Sequence, residues 1–117
     1  MQTNKPKNLI VDLTFEFALK IINYVELLEQ ERKFVIARQS LRSGTSIGAN
    51  VREAQNAESK VDFIHKMKIA AKEADETEYW LLLCEKSEKY PDCTELLNNI
   101  PPVIKILSKI ISTSKTK

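Results

Sequence analysis

Apolar residues recur at intervals of three and four along most of this chain, which is the spacing of amphipathic α-helices. β-Branched residues do not alternate with polar ones over a length typical of a strand. The pattern predicts helices over about 9–31, 34–57 and 59–89, then a turn at Tyr90-Pro91 and a fourth, interrupted helical segment. Because the connections are short, we predict an all-α fold, an up-down-up-down antiparallel four-helix bundle.

The third helix has the clearest pattern. Ser59 is a suitable N-cap, and Asp62 follows three residues later in the manner of a capping box. The apolar and small residues then alternate strictly at four and three, which is typical of a packed seam. The residues of this predicted seam are Phe63, Met67, Ala70, Ala74, Thr77, Leu81 and Cys84.

The fourth segment contains adjacent prolines, Pro101 and Pro102. A proline inside a helix removes a backbone donor and crowds the preceding turn, at a cost of about 3 kcal/mol. We therefore predict a short helix over about 93–98, a break at 99–100 next to Pro101-Pro102, and a last helix over about 101–112 with a fraying tail. One apolar face is common to both parts and consists of Leu96, Ile100, Val103, Leu107 and Ile110.

The first helix has more apolar surface than one core contact requires. One face consists of Ile10, Phe17, Ile21 and Leu28. A second face consists of Val11, Phe15, Ala18, Ile22 and Val25. Since a monomer would leave part of this surface exposed as an apolar patch, the excess predicts a contact with another subunit.

Both glycines of the protein, Gly44 and Gly48, lie four residues apart in the second predicted helix. Two glycines in a helix interior cost about 1 kcal/mol each relative to alanine. We therefore expect a neighbouring helix to approach closely there, and the alternative interpretation is a flexible hinge or loop. The spacing matches the small-xxx-small pattern of membrane helices, but the surrounding charges exclude a membrane. The strip that contains the glycines is Ala37, Leu41, Gly44, Gly48, Val51 and Gln55.

The composition, with 43% hydrophobic and 29% charged residues among 117, fits one domain over 1–117. We expect its core over about 9–112 and flexible tails at both ends. No apolar run approaches the roughly 20 residues that span a bilayer, and the N-terminus has no apolar signal segment, so we expect a cytoplasmic protein. Cys84 and Cys93 have no metal-ligand spacing and are expected to be idle reduced thiols. A disulfide across the Tyr90-Pro91 turn is the alternative.

Side chains suited to catalysis are largely absent. The only histidine, His65, lies on the far side of the third helix from the seam and is expected to be solvated. Glu73 and Glu76 have the spacing of part of a di-metal site, but no histidine accompanies them. No phosphate-binding loop, dinucleotide fingerprint or nucleophile–base pair is present. The sequence therefore predicts no enzyme activity, no metal and no cofactor.

The net charge of +2 conceals a strong polarity along the chain. Residues 32–72 include nine basic and three acidic side chains, whereas residues 73–95 include two basic and eight acidic ones. Three basic side chains lie within an arc of about 80° on the second helix, namely Arg38, Arg42 and Arg52. A basic face can bind nucleic-acid phosphate, and faces of opposite sign can also join subunits head to tail.

Glu73 and Glu76 lie on the same side of the predicted seam as Trp80. A carboxylate beside a tryptophan is partly desolvated and is stabilised by a nearby cation. We expect an arginine of the second helix, from the same chain or from a second subunit, to reach these glutamates. The alternative is that both glutamates are solvated.

Three segments resemble a known family, namely LRSGTSIGANVREA at 41–54, SKVDF at 59–63 and KEADETEYWL at 72–81. They are similar to the bacterial 23S rRNA-intervening-sequence proteins, and the resemblance extends over about residues 9–112. It implies a four-helix bundle, a ring-shaped homopentamer and no established catalytic activity. Members are often encoded within insertions in 23S rRNA genes. The fold also resembles the accessory protein of diversity-generating retroelements, which partners a reverse transcriptase and nucleic acid.

The residues and the resemblance together predict a non-enzymatic homo-oligomeric scaffold, a pentamer, that binds RNA or a nucleoprotein partner through a basic face. The residues of that predicted face are Arg38, Arg42, Arg52, Lys66 and Lys68. Helix packing or subunit contact is predicted for Gly44, Gly48, Glu73, Glu76 and Trp80. The alternative function is a protein–protein interaction adaptor whose charge pattern serves only subunit assembly.

Overall fold

The computed structural model of the protein describes residues 8–116. They form four helices, α1 (Leu9–Gln30), α2 (Phe34–Ala54), α3 (Lys60–Lys86) and α4 (Thr94–Lys115). Each helix packs on the next one along the chain, and α4 returns to α1, whereas the backbones of the diagonal pairs lie further apart. The predicted all-α class is confirmed.

Side-chain contacts show that α2 is antiparallel to α3 and that α4 is antiparallel to α1. Along α2 and α3, Ser43 contacts Thr77 while Glu53, later in α2, contacts Lys66, earlier in α3. Between α1 and α4, Lys20 contacts Asn99. Tyr24, one turn later in α1, donates a hydrogen bond to the carbonyl of Pro91, which comes before α4 in the chain. This pairing is that of an up-down-up-down four-helix bundle.

The helix ends follow local capping chemistry. Asn8 caps α1, and the hydroxyl of Ser59 accepts a 3.0 Å hydrogen bond from the backbone N–H of Asp62. The Asp62 carboxylate reaches back to the N–H of Glu58, one residue before the cap. The second and third helices each end about three residues earlier than predicted, at Ala54 and Lys86.

The predicted seam of α3 forms the centre of the core. Six of its seven residues are buried, and Phe63, the seventh, packs partly buried against them. On α1 the first predicted face is buried in full, and α1 packs against both α2 and α4. The buried members of the seam are Met67, Ala70, Ala74, Thr77, Leu81 and Cys84.

The predicted break near Pro101-Pro102 is wrong, because α4 continues through both prolines without interruption. Both rings are exposed, so the carbonyls that lose their partners, those of Leu97 and Asn98, are on a side of the helix that water can reach. The fixed φ of proline is itself helical. Packing of the opposite face outweighs the two lost hydrogen bonds, and that buried face consists of Leu96, Ile100, Val103 and Leu107.

The last helix ends three residues later than predicted, at Lys115 instead of Ser112. The flexibility of the C-terminal tail stays a prediction. The N-terminal tail at 1–7 lies outside the described residues. Over the described range, no helix is both long and apolar enough to cross a membrane. Residues 8–116 also include no group of three or more side chains arranged to hold a metal ion.

Candidate nucleic-acid and assembly interfaces

The second apolar face of α1 remains partly open to solvent. Phe15 is 58% exposed and Ile22 is 40% exposed, while Val11 and Ala18 are half-buried between them. Only Val25 of the predicted set is fully in the core. The excess apolar surface that the sequence predicts for α1 therefore lies on the outside of the bundle, beside α2.

The two glycines of α2 let α1 approach very closely. A Cβ placed on Gly44 would lie within 3 Å of Ile21, and one on Gly48 would lie 3.3 Å from the carbonyl oxygen of Thr14. Both positions are helical, so the predicted close approach is present and no hinge occurs there. The partner helix is α1 of the same chain.

A shallow apolar groove runs along the outer side of this α1–α2 contact. Its deepest part has a volume of about 200 Å³. A more open hollow adjoins it at Thr45 and is lined only by side chains of α2, namely Arg38, Gln39, Leu41, Arg42 and Thr45. Arg52 therefore lines the groove itself, and Arg38 lines the hollow that adjoins its other end. We call this surface the α1–α2 groove, and the deepest part is lined by Val11, Thr14, Phe15, Ala18, Thr45, Gly48, Ala49 and Arg52.

Arg42 joins α2 to α3 through an ionic network. Its guanidinium contacts the carboxylates of Glu73, at 3.3 Å, and Glu76. The indole N–H of Trp80 donates a 2.9 Å hydrogen bond to the same Glu76 oxygen that Arg42 contacts. Two of the three side chains are less exposed than usual for ion pairs, since Glu73 retains 22% and Glu76 34% of its side-chain surface. The predicted cation for these glutamates thus comes from the same chain.

A buried polar contact lies directly beneath this network. The hydroxyls of Ser43 and Thr77 are 2.9 Å apart, and both side chains are fully buried. Each hydroxyl also contacts a carbonyl one turn earlier in its own helix, those of Gln39 and Glu73. Because buried hydroxyls are costly without partners, this contact fixes the register of α2 against α3. Sequence reasoning placed Thr77 in the seam but did not find its partner.

The predicted basic face divides into paired and unpaired cations. Arg42 is engaged with Glu73 and Glu76, and Lys66 forms a 3.0 Å salt bridge with Glu53. The hydrogen bond to Glu53 raises the pKa of Lys66. Within residues 8–116 the other three, Arg38, Arg52 and Lys68, are exposed and form no salt bridge.

Lys68 has a neighbour that sequence reasoning left out of the basic face. Lys72 lies one helical turn later on the same exposed side of α3 and also has no salt bridge in the described part of the chain. The spacing of four residues between Lys68 and Lys72 could have identified Lys72 from the sequence. The two ammonium groups form what we call the lysine pair, a compact cationic position on the outer surface of the bundle.

The later half of α3 has an exposed apolar patch. Tyr79 is 56% exposed, and Leu82 and Leu83 are each exposed by about two fifths. Exposed carboxylates flank it, with Asp75 before the patch and Glu85 after it. We call Tyr79, Leu82 and Leu83 the α3 patch.

The two cysteines lie in the core beside Tyr24 and are free thiols, as predicted. Burial raises the pKa of Cys93 to about 11 and also raises that of Cys84. Burial likewise raises the pKa of Tyr24, whose hydroxyl donates to the carbonyl of Pro91. Neutral, enclosed groups of this kind are structural, since reactive thiols are exposed and ionised. His65 is at the surface, as predicted.

Comparison with known proteins gives one family and a related structure. The family model for 23S rRNA-intervening sequence proteins matches residues 7–109. A crystal structure of a protein with unknown function from the S23 ribosomal protein family of Bacteroides thetaiotaomicron is 47% identical. The match covers 87% of this chain and 97% of that one, with a TM-score of 0.83. Among curated proteins, none matches this chain.

Proposed function

The chain belongs to the 23S rRNA-intervening sequence protein family, and on that premise we propose a non-enzymatic, cytoplasmic scaffold that assembles with copies of itself and binds RNA or a nucleoprotein partner. The assembly is a homopentamer. The observation that supports the proposal most directly is the coexistence of an exposed apolar face on α1 with unpaired cations on α2 and α3.

The apolar surface supports self-assembly. Phe15, Ile22 and Leu41 are all exposed around the α1–α2 groove. A contiguous apolar surface of this kind on a small domain indicates a protein contact. In dilute buffer, light scattering of the parent protein is expected to give a mass near five times 13.4 kDa. A mass equal to one chain at micromolar concentration would rule out this part of the proposal.

The lysine pair supports binding to phosphate. Lys68 and Lys72 have no competing carboxylate partner among the described residues, unlike Arg42 and Lys66. In a ring, each copy adds one such pair, so a strand that follows the ring meets cations at regular intervals. Each phosphate neutralised releases counterions, which makes affinity depend on salt with a slope of about −0.7 per contact for single strands.

The test is a salt titration of binding to a short single-stranded RNA. The double variant Lys68→Gln/Lys72→Gln should bind more weakly, and its salt slope should be shallower by about 1.4 in magnitude for each subunit whose two lysines contact phosphate. The matched control is Lys105→Gln/Lys109→Gln, which removes two exposed lysines at the same spacing from α4. Equal losses in both variants, or no salt-dependent binding by the parent, would contradict the proposal.

A second candidate is the interaction adaptor, in which charge serves assembly alone. It is favoured by the position of Arg38 and Arg52, which flank the apolar α1–α2 groove. The double variant Arg38→Gln/Arg52→Gln separates the two functions. The adaptor predicts that the double variant forms a smaller assembly than the parent and that the parent does not bind RNA. The RNA scaffold predicts salt-dependent RNA binding by the parent, whatever the effect of these arginines on assembly.

A further inference from the structure

We propose that the α1–α2 groove of one copy receives the α3 patch of a second copy, so that subunits join head to tail through two different surfaces. The inference rests on the homo-oligomeric part of the proposed function and identifies the two contact surfaces. It concerns surfaces on opposite sides of α2, since α1 and α3 both pack on α2 and their backbones are not adjacent.

The shapes of the two surfaces are complementary. The groove is concave, and its floor consists of small or half-buried side chains such as Ala18, Thr45 and Gly48. The α3 patch is the outer ridge of a single helix, with Tyr79 and Leu83 four residues apart and Leu82 beside them. A groove placed against a second groove leaves the concavity unfilled, whereas a helical ridge fills it.

The charges are also complementary. The α2 side of the groove carries Arg38 and Arg52, fourteen residues apart, or about 21 Å along the helix. The patch is flanked by Asp75 and Glu85, about 15 Å apart along α3. Apolar contact in the middle and opposite charges at both ends fix the position of one helix on the other.

The remaining charges give the contact a direction. The exposed carboxylates of α1, Asp12 and Glu26, lie outside the residues that line the groove, so α1 and α2 offer exposed charges of opposite sign. Lys86, near the end of the patch, lies 3.7 Å from Glu85 of its own helix, and this exposed pair can exchange its contact for charges of the neighbouring subunit. A contact between unlike surfaces leaves one free groove and one free patch on every dimer, so addition continues until a ring closes.

Lys68 remains accessible in this arrangement, and Lys72 borders the contact. Lys72 lies three residues before Asp75, about 4.5 Å along α3, and Lys68 lies one turn further away. The apolar residues of the α3 patch are distinct from both lysines, so assembly and RNA binding can be tested with different variants.

The experiment uses two full-length variants, each with one surface blocked. Phe15→Glu/Ala49→Glu places carboxylates at exposed positions of the groove, and Tyr79→Glu/Leu83→Glu does so on the patch. Each variant alone should be monomeric by light scattering, with parental helicity by circular dichroism. An equimolar mixture should give a heterodimer and nothing larger, because one intact groove and one intact patch remain. The matched control is Val61→Glu, which changes an exposed apolar residue of α3 outside the patch and should assemble normally.

The other outcomes are separately informative. If the folded patch variant assembles like the parent, the groove pairs with itself or with another surface, and the inference is overturned. If two folded monomeric variants do not associate when mixed, it is overturned as well. If the parent is a monomer, both the inference and the proposed homo-oligomer are overturned. If the parent is an oligomer and the patch variant forms the same oligomer, only the inference is overturned.

Discussion

Ile21 on α1 packs directly against the backbone of Gly44 on α2. A Cβ at Gly44 would lie 2.8 Å from Cγ1 and 2.9 Å from Cγ2 of Ile21, closer than carbon atoms approach without bonding. Ile21 is fully buried, and both atoms adjoin its branched Cβ, so the side chain cannot move aside cheaply. The absence of a side chain at Gly44 therefore sets the separation of the two helices.

Gly44→Ala should destabilise the protein despite the better helix propensity of alanine. The gain in propensity is at most about 1 kcal/mol, whereas overpacking a core typically costs about 1–3 kcal/mol. Urea unfolding followed by circular dichroism gives the difference. Ala49→Gly, an exposed change on the same helix, is the control for propensity and should cost about 1 kcal/mol. A Gly44→Ala protein as stable as the parent would contradict this account of the contact.

Gly48 should tolerate alanine but not leucine. A Cβ there would lie 3.3 Å from the backbone oxygen and the hydroxyl of Thr14, so a shift of a few tenths of an ångström accommodates it. We expect Gly48→Ala to change stability by less than about 1 kcal/mol. Gly48→Leu extends a side chain into the space that α1 occupies and should cost about 1–3 kcal/mol. If the leucine variant kept the parental melting temperature and assembly, Gly48 would not lie at a close contact.

Arg42→Gln should weaken the contact between α2 and α3. The change leaves Glu73 and Glu76 without their cation, one turn apart on α3. We expect a loss of about 1 kcal/mol, less at high salt, because Arg42 is half exposed and screened by solvent. Arg38→Gln is the matched control, since Arg38 has no salt bridge among the described residues, and it should change stability by less than about 0.5 kcal/mol. Equal effects of the two changes would show that the network adds nothing.

Pro101→Ala should stabilise α4. Alanine restores the backbone N–H that can donate to the carbonyl of Leu97 and relieves the crowding that proline imposes on the preceding turn. Proline also lowers the conformational entropy of the unfolded chain, and losing this effect offsets part of the gain. We expect a net stabilisation of about 1–2 kcal/mol. Thermal unfolding measures the change. A lower melting temperature would mean that the proline ring makes contacts that its exposure does not suggest.

The buried thiols should make stability fall at alkaline pH. The folded protein holds Cys93 neutral up to about pH 11, whereas an unfolded thiol ionises near pH 8.5. Because the pKa of Cys93 is higher in the folded than in the unfolded protein, the neutral thiol contributes its full share of the stability below pH 8.5. That contribution is lost as pH rises toward 11. Tyr24 and Cys84 contribute with the same sign. The loss per thiol is at most about 1.4 kcal/mol per pH unit.

Cys93→Ala tests this dependence by removing one titrating group. Unfolding measured at several values between pH 8 and pH 11 should show a shallower decline for the variant than for the parent. The same burial predicts that a thiol reagent modifies neither Cys84 nor Cys93 in the native protein and both in denaturant. Parallel pH curves for parent and variant would exclude Cys93 as a source of the decline.

Much of the fold could be predicted because helical periodicity is a local property of the sequence. The seam of α3 was found from spacing alone, since one face of a helix must be apolar to be buried. The continuity of α4 could not be found in this way. Local rules count the cost of Pro101 and Pro102, whereas the compensation comes from the burial of Ile100 and Val103 against other helices.

The candidate site was predictable in its residue types but not in its pairing. Helical positions identified Arg42, Glu73 and Glu76, but only the register of α2 against α3 decides that they meet within one subunit. The same register joins Lys66 to Glu53 and leaves Lys68 unpaired. Periodicity determines which face of each helix is apolar or charged. Which faces meet is decided by the packing of whole helices, because contacts between residues far apart in sequence depend on every side chain between them.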